Sequence, residues 1–167
     1  MGVYMRIIGI DPGYAIVGFG VIEYNSAKFN VIDYGAVTTP ADMDFNSRLL
    51  EIYNDICYIL DKFRPDYLAI ERLYFTSNQK TAIDVAQARG IVLLAARQRN
   101  IDIFEYTPLQ VKQSVTGYGK AIKKQVQEMT TRILKLPEIP KPDDTADALA
   151  IAICHAHSYN SQLSNYR

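Results

Sequence analysis

The chain predicts a mixed α/β single domain, and three observations carry that prediction. The first third alternates apolar and polar residues, which is the period of half-buried strands. Two later stretches, "PDYLAIE" and "IDIFEYTP", are short apolar runs separated by long segments with helical spacing. At 167 residues, 49% hydrophobic and 22% charged, the composition is that of one soluble domain with a sizeable core. There is no internal repeat and no low-complexity tract.

Each element follows in order. "RIIGI", "AIVGFGVIEY" and "KFNVIDYGAVTT" read as three strands joined by turns at Asp11–Tyr14 and Asn25–Ala27, an antiparallel meander. Leu49, Ile52, Tyr53, Ile56, Ile59, Leu60 and Phe63 recur at steps of three and four and mark an amphipathic helix. "PDYLAIE" is a fourth strand ending on Glu71, followed by the polar loop "RLYFTSNQK". Thr81 and Asp84 fit a capping box that opens a second helix running to about Arg99. "IDIFEYTP" is the fifth strand. Thr107 caps the next short helix, with Pro108 at its first position. After the loop "TGYGKA" a helix covers about Ile122 to Leu136, a Pro-rich stretch interrupts, and a last helix runs from about Asp144 to Ala156. The domain is expected over 1–158, with 159–167 a polar tail.

No apolar run reaches membrane-spanning length and the N-terminus is not a signal peptide, so a cytoplasmic location is expected. Cys57 and Cys154 lie far apart without metal or redox spacing, and read as reduced, buried thiols. His155 and His157 have no ligand spacing with Cys154. Net charge is +0, which by itself argues against a nucleic-acid partner. The charge is unevenly spread, however. Between Thr107 and Leu136 six cations (Lys112, Lys120, Lys123, Lys124, Arg132 and Lys135) face one acid, Glu128, a net +5 suited to a polyphosphate chain.

The chemistry lies in acids at the ends of apolar elements. Asp11 closes the first strand and Glu71 the fourth. If those strands are neighbours ending at one level, the two carboxylates lie side by side and need a counter-charge, for which Arg6 and Arg72 are candidates. Asp144 and Asp147, three apart, project from one face of an apolar helix. Asp143 and Asp147, four apart, do so equally, so spacing leaves the upstream residue open. Singly each acid has a plain structural explanation: turn amides for Asp11, an ion pair with Arg72 for Glu71, an N-cap for Asp143. Together they suit an all-oxygen site for Mg²⁺ or Mn²⁺. Two such ions about 4 Å apart can activate a water and stabilise a leaving oxygen.

At this point the sequence resembles the RuvC family of bacterial Holliday-junction resolvases, within the ribonuclease H-like superfamily. The resemblance rests on "IGIDPG" (Ile8–Gly13), "AIERLYF" (Ala69–Phe75), "QARG" (Gln87–Gly90), "TPLQVKQSVTGYGKAIKKQV" (Thr107–Val126) and "DDTADALAIAICHAH" (Asp143–His157), spanning nearly the whole chain. It implies a five-stranded mixed sheet flanked by helices. It also implies metal ligands Asp11, Glu71, Asp144 and Asp147, with Asp144 favoured over Asp143. Lys112 and Lys123 match basic positions near the active site and DNA, with Lys123 counted among the catalytic residues. Lys120 and Lys124 extend that patch. Tyr74 matches an aromatic that stacks on an unpaired base, and Phe75 shares that expectation.

The activity so implied is structure-selective nicking of four-way DNA junctions with Mg²⁺, two ions per site, Mn²⁺ substituting. Paired symmetric nicks imply a homodimer, for which the second helix is a candidate interface through Gly90, Val92, Leu93 and Ala96. A junction-binding protein and a branch-migration motor of the RuvA and RuvB type are the implied partners. The alternatives are a nuclease of this fold with another branched or RNA substrate, and a silent junction-binding module. An actin-like ATPase or sugar kinase shares the first strand and turn, but needs a second lobe that 167 residues do not supply.

Overall fold

The computed structural model describes residues 4–26, 28–74 and 79–164, with the side chains of 79 and 160–164 left aside. Strands β1 (Met5–Asp11), β2 (Ile16–Tyr24) and β3 (Phe29–Thr38) form the expected antiparallel meander. Strands β4 (Tyr67–Glu71) and β5 (Asp102–Tyr106) add in parallel to β1, giving the order β3-β2-β1-β4-β5. Five helices follow the predicted order: α1 (Phe45–Phe63), α2 (Gln79–Arg97), α3 (Pro108–Thr116), α4 (Lys123–Ile133) and α5 (Asp143–Ser164).

The sheet separates two apolar layers. Strand side chains alternate between faces, so Ile8, Ile10, Leu68 and Ile70 join α1 and α2 on one side. Ile7, Ala69 and Ile22 join α3, α4 and α5 on the other. By the same alternation Asp11 and Glu71 emerge on the α5 side, two residues beyond Gly9 and Ala69. The register pairs Ile10 with Ile70, so the two acids follow as neighbours at one level.

Glycines set how closely α5 approaches. A side chain at Gly18 would collide with the carbonyl oxygen of Asp144 and come 2.9 Å from the Thr145 nitrogen. One at Gly9 would collide with the Ala148 carbonyl and come 2.8 Å from the Ala152 nitrogen. Strand glycines of this kind permit backbone-to-backbone contact. Thr145 reinforces it by donating its hydroxyl to the Gly35 carbonyl at 3.0 Å.

Several boundaries differ from expectation. α2 already starts at Gln79, so Thr81 and Asp84 lie inside the helix and form no cap. It ends at Arg97, and α4 spans only Lys123–Ile133, shorter than expected. α5 includes Asp143 as its first residue and continues to Ser164, well past Ala156 and into the expected tail. Its apolar side is long because Tyr159 still packs on the Tyr67 ring, centroids 5.4 Å apart. The cap at Thr107 is as predicted: its hydroxyl accepts from the Gln110 amide while the Gln110 side chain accepts from the Thr107 amide. Both thiols are free, but only Cys154 is buried, and Cys57 is half-buried.

Candidate active site

Four acids lie near one another at the carboxyl end of β1 and β4 and the start of α5. β1 delivers Asp11 and β4 delivers Glu71. The α5 backbone, seated on Gly18 beside Asp11 in the β1–β2 register, delivers Asp144 and, one turn on, Asp147. The charges feel one another. Burial, then Asp147, Glu71 and Asp144, push the Asp11 carboxyl up to about 8, against the opposing pull of Lys123. Burial and Asp147 likewise raise Glu71, while Lys112 and Lys123 pull it down. Burial raises Asp147 above the usual carboxylate range despite its bond to Lys123.

The counter-charge comes from the basic segment. Lys123 Nζ lies 3.0 Å from Asp147 Oδ2 and 3.7 Å from Asp143 Oδ2. Burial works to lower the Lys123 ammonium, but Asp147, Asp143 and Asp11 outweigh it and hold it above its ordinary value. Lys112, Lys123, Glu71 and Asp147 together line one groove with Pro108, Val111 and Val126. Arg6 and Arg72, the candidates considered from sequence, are engaged elsewhere. Arg6 pairs with Glu23 at 2.6 Å and Arg72 with Glu105 at 3.7 Å. Glu71 therefore has no ion pair with Arg72, because that side chain turns to β5.

Asp143 meets a second lysine. Lys141 binds it at 2.9 Å and holds its carboxyl below the usual range. Among the described residues Asp144 has no ion pair of this kind. Tyr74 is exposed at the end of the described stretch after β4, while Phe75 lies outside the described residues. Lys120 and Lys124 are exposed, and Lys124 reaches Glu128 at 3.9 Å.

The donor set fits a divalent cation. No three acid, histidine or cysteine side chains among the described residues already converge around one point. The chemistry is nonetheless that of a hard-cation site: oxygen donors only, half-buried carboxylates that repel one another, and two ammonium groups against four acids. A cation held by Asp11, Glu71, Asp144 and Asp147 would relieve that repulsion.

Two contributors had no role from sequence. Gly18 was legible only as a strand glycine, a weak sign of close approach. Arg89, within "QARG", sends its side chain to the site's edge, where Nε donates to the Glu71 carbonyl at 3.3 Å.

A ribonuclease H-like sheet carrying acids at the ends of β1 and β4 and the start of α5 defines a nuclease of that superfamily. The profile described as "Crossover junction endodeoxyribonuclease RuvC" matches residues 7–155. Curated relatives of that description include one from Ruminiclostridium cellulolyticum, 59% identical over 93% of both chains. Another, from Fusobacterium nucleatum, is 56% identical over 96% of this chain and 84% of its own. Among solved structures, Thermus thermophilus RuvC in complex with Holliday junction substrate superposes with a TM-score of 0.90, at 36% identity over 95% of this chain and 96% of that one. The yeast mitochondrial Holliday junction resolvase Ydc2, 18% identical, shares the fold at a TM-score of 0.69, over 98% of this chain and 82% of its own. The chain belongs to the RuvC family.

Proposed function

We propose that this chain resolves four-way DNA junctions by paired, symmetric nicking through metal-dependent phosphodiester hydrolysis. The observation that carries the reading is the register of β1 and β4, which ends Asp11 and Glu71 side by side within reach of Asp147 and Lys123. Family membership supports the substrate.

Asp11, Glu71, Asp144 and Asp147 would hold Mg²⁺ or Mn²⁺, two ions per site. Those ions would supply an activated water and charge stabilisation at the leaving 3′-oxygen. Lys123 orients Asp147 and, with Lys112, offers positive charge beside the scissile phosphate. Lys120 and Lys124 extend that charge along the strand, and Tyr74, with Phe75, offers a stacking surface for an unpaired base. The products carry 5′-phosphate and 3′-hydroxyl ends.

Two-fold cutting needs two copies. Val92 and Ala96, named with Gly90 and Leu93 from sequence, do not serve, since both are fully buried against the sheet. The outward stripe of Ile83, Gly90 and Leu94 does: both large side chains are about half exposed, and open space surrounds Gly90. The partners we place beside this enzyme are a junction-binding protein and a branch-migration motor of the RuvA and RuvB type. We place it in the cytoplasm; no described helix is long and apolar enough to cross a membrane.

The test uses a labelled four-way junction beside a linear duplex of the same sequence, with Mg²⁺ or Mn²⁺. Symmetric nicks in the junction alone are expected, and Asp11→Asn removes them while leaving junction binding intact. Cutting of both substrates removes junction selectivity. Tight binding without cutting in either metal rejects the hydrolytic role of the carboxylates.

A further inference from the structure

The peptide unit that follows Glu71 is tied at both ends. Its N–H, from Arg72, donates to the Tyr106 carbonyl at 2.8 Å. Its carbonyl, from Glu71, accepts from Arg89 Nε at 3.3 Å. The first tie comes from β5. The second comes from α2, in the layer opposite the helices that carry Asp144, Asp147 and Lys123. Beyond this peptide β4 ends and the ladder stops, so nothing in the sheet restrains the next residues.

Arg89 is itself held. Its side chain is 14% exposed, and Nη2 lies 2.9 Å from Glu105 Oε2. That contact is an ion pair rather than an aligned hydrogen bond, because Nη2 has no hydrogen-bond partner among the described residues. Among the described residues the Nε–H bond to Glu71 is therefore the directional contact the guanidinium makes, and Glu105 serves as its charge anchor. Arg72 shares the same Glu105 carboxylate at 3.7 Å.

Glu71 needs such a restraint. Its carboxylate faces Asp11 and Asp147, and like charges push it out of the cluster. A terminal strand residue yields to that push by turning its backbone. We propose that Arg89 is a positioning residue for the metal site: by fixing the Glu71 carbonyl from α2, it holds the Glu71 carboxylate in place against its neighbours. This rests on the metal-binding role of Glu71 given above. Loss of an outer partner of a metal ligand typically costs about 10- to 100-fold in metal affinity or activity.

The test compares Arg89→Gln, Arg89→Lys and Glu105→Gln with the unaltered full chain. Three quantities are read: melting temperature in chelator, the Mn²⁺ concentration giving half of the metal-induced rise in melting temperature, and kcat and KM on a four-way junction. For Arg89→Gln the Mn²⁺ midpoint is expected to rise about tenfold or more and kcat to fall in proportion, with KM nearly unchanged. Arg89→Lys, which keeps the charge but not the fork, falls between. Glu105→Gln weakens the anchor but leaves Arg89 to donate to the Glu71 carbonyl, so its melting temperature in chelator drops comparably while its Mn²⁺ midpoint rises less than in Arg89→Gln. An unchanged midpoint in the Arg89 variants, or an equal shift in Glu105→Gln, overturns the proposal and leaves Arg89 a structural ion-pair residue. If Arg89→Gln does not fold, Arg89→Lys and Glu105→Gln decide by the same comparison. Should the unaltered chain show neither a Mn²⁺-induced rise nor junction cutting, the reading of the site itself fails, which is a separate result.

Discussion

Gly18 of β2 lies flat against the backbone of Asp144 at the head of α5, with no side chain between them. Gly18 is also the register partner of Asp11. One glycine thus sets the distance between an acid on a strand and an acid on a helix.

Replacing Gly18 by Ala places a methyl group on the Asp144 carbonyl. The strand and helix must part, since both obstructions are backbone atoms. The expected cost is about 1–3 kcal/mol of stability. Junction cutting falls by more than stability alone accounts for, because Asp144 moves away from Asp11. Thermal unfolding in chelator and single-turnover cutting, measured on one preparation, check this. Cutting at the unaltered rate shows that the spacing is not needed.

The acid cluster makes the metal-free protein sensitive to pH. Asp11 titrates near 8 in the folded chain and near 3.9 when unfolded. Its folded-state pKa is raised, so its favourable contribution is complete below about 4 and is lost as pH rises towards 8. In chelator, melting temperature should fall between pH 5 and 8. Asp11→Asn should flatten that fall and stabilise the metal-free protein by a few kcal/mol at pH 8. Saturating Mg²⁺ should reverse the ranking, stabilising the unaltered chain more than the variant. A variant that is no more stable than its parent in chelator at pH 8 contradicts the crowding of charge around Asp11.

His155 gives the opposite dependence. It is 1% exposed, its Nδ1 is 2.7 Å from the Tyr106 hydroxyl, and Phe104 and Tyr67 stack around it. Burial lowers its pKa to about 4, against about 6.5 unfolded. Its contribution is therefore present above about 6.5 and is lost as pH falls towards 4. Between pH 7 and 5 the loss is about 2 kcal/mol. His155→Gln keeps a hydrogen-bonding side chain for Tyr106 and removes the titration. Urea unfolding of both proteins at pH 7 and pH 5 isolates the term, since the Asp11 contribution is common to both. Equal pH sensitivity in the two proteins rules out a neutral, buried imidazole.

Sequence was informative where patterns are local. Alternation gave β1 to β3, and "PDYLAIE" gave a strand with Glu71 at its end. Neither showed that Lys123 would reach Asp147. That contact depends on where α4 lies over α5, which is a matter of packing. Spacing leaves Asp143 and Asp144 equivalent, and nothing local shows that Lys141 pairs with Asp143 at 2.9 Å. The α2 positions named from sequence divide for a related reason. Val92 and Ala96 are fully buried and Leu93 half-buried, but that packing is a property of the sheet beneath. The exposed positions of the same helix hold Ile83, Gly90 and Leu94. Composition could not tell the two faces apart.

The glycine contacts along β1 and β2 divide the site into an anvil and a jaw. Asp11, Glu71, Asp144 and Asp147 stand on two strands and a helix joined peptide to peptide, so no rotation of a side chain can bring that half closer or take it away. Lys112 and Lys123 stand on α3 and α4, joined by the short segment between Gly117 and Ile122, and Lys123 is more than half exposed. In the reading proposed above, travel to admit a DNA strand would come from the lysine side chains. The acid side, with Glu71 held by Arg89, would serve as the surface against which the phosphate is set.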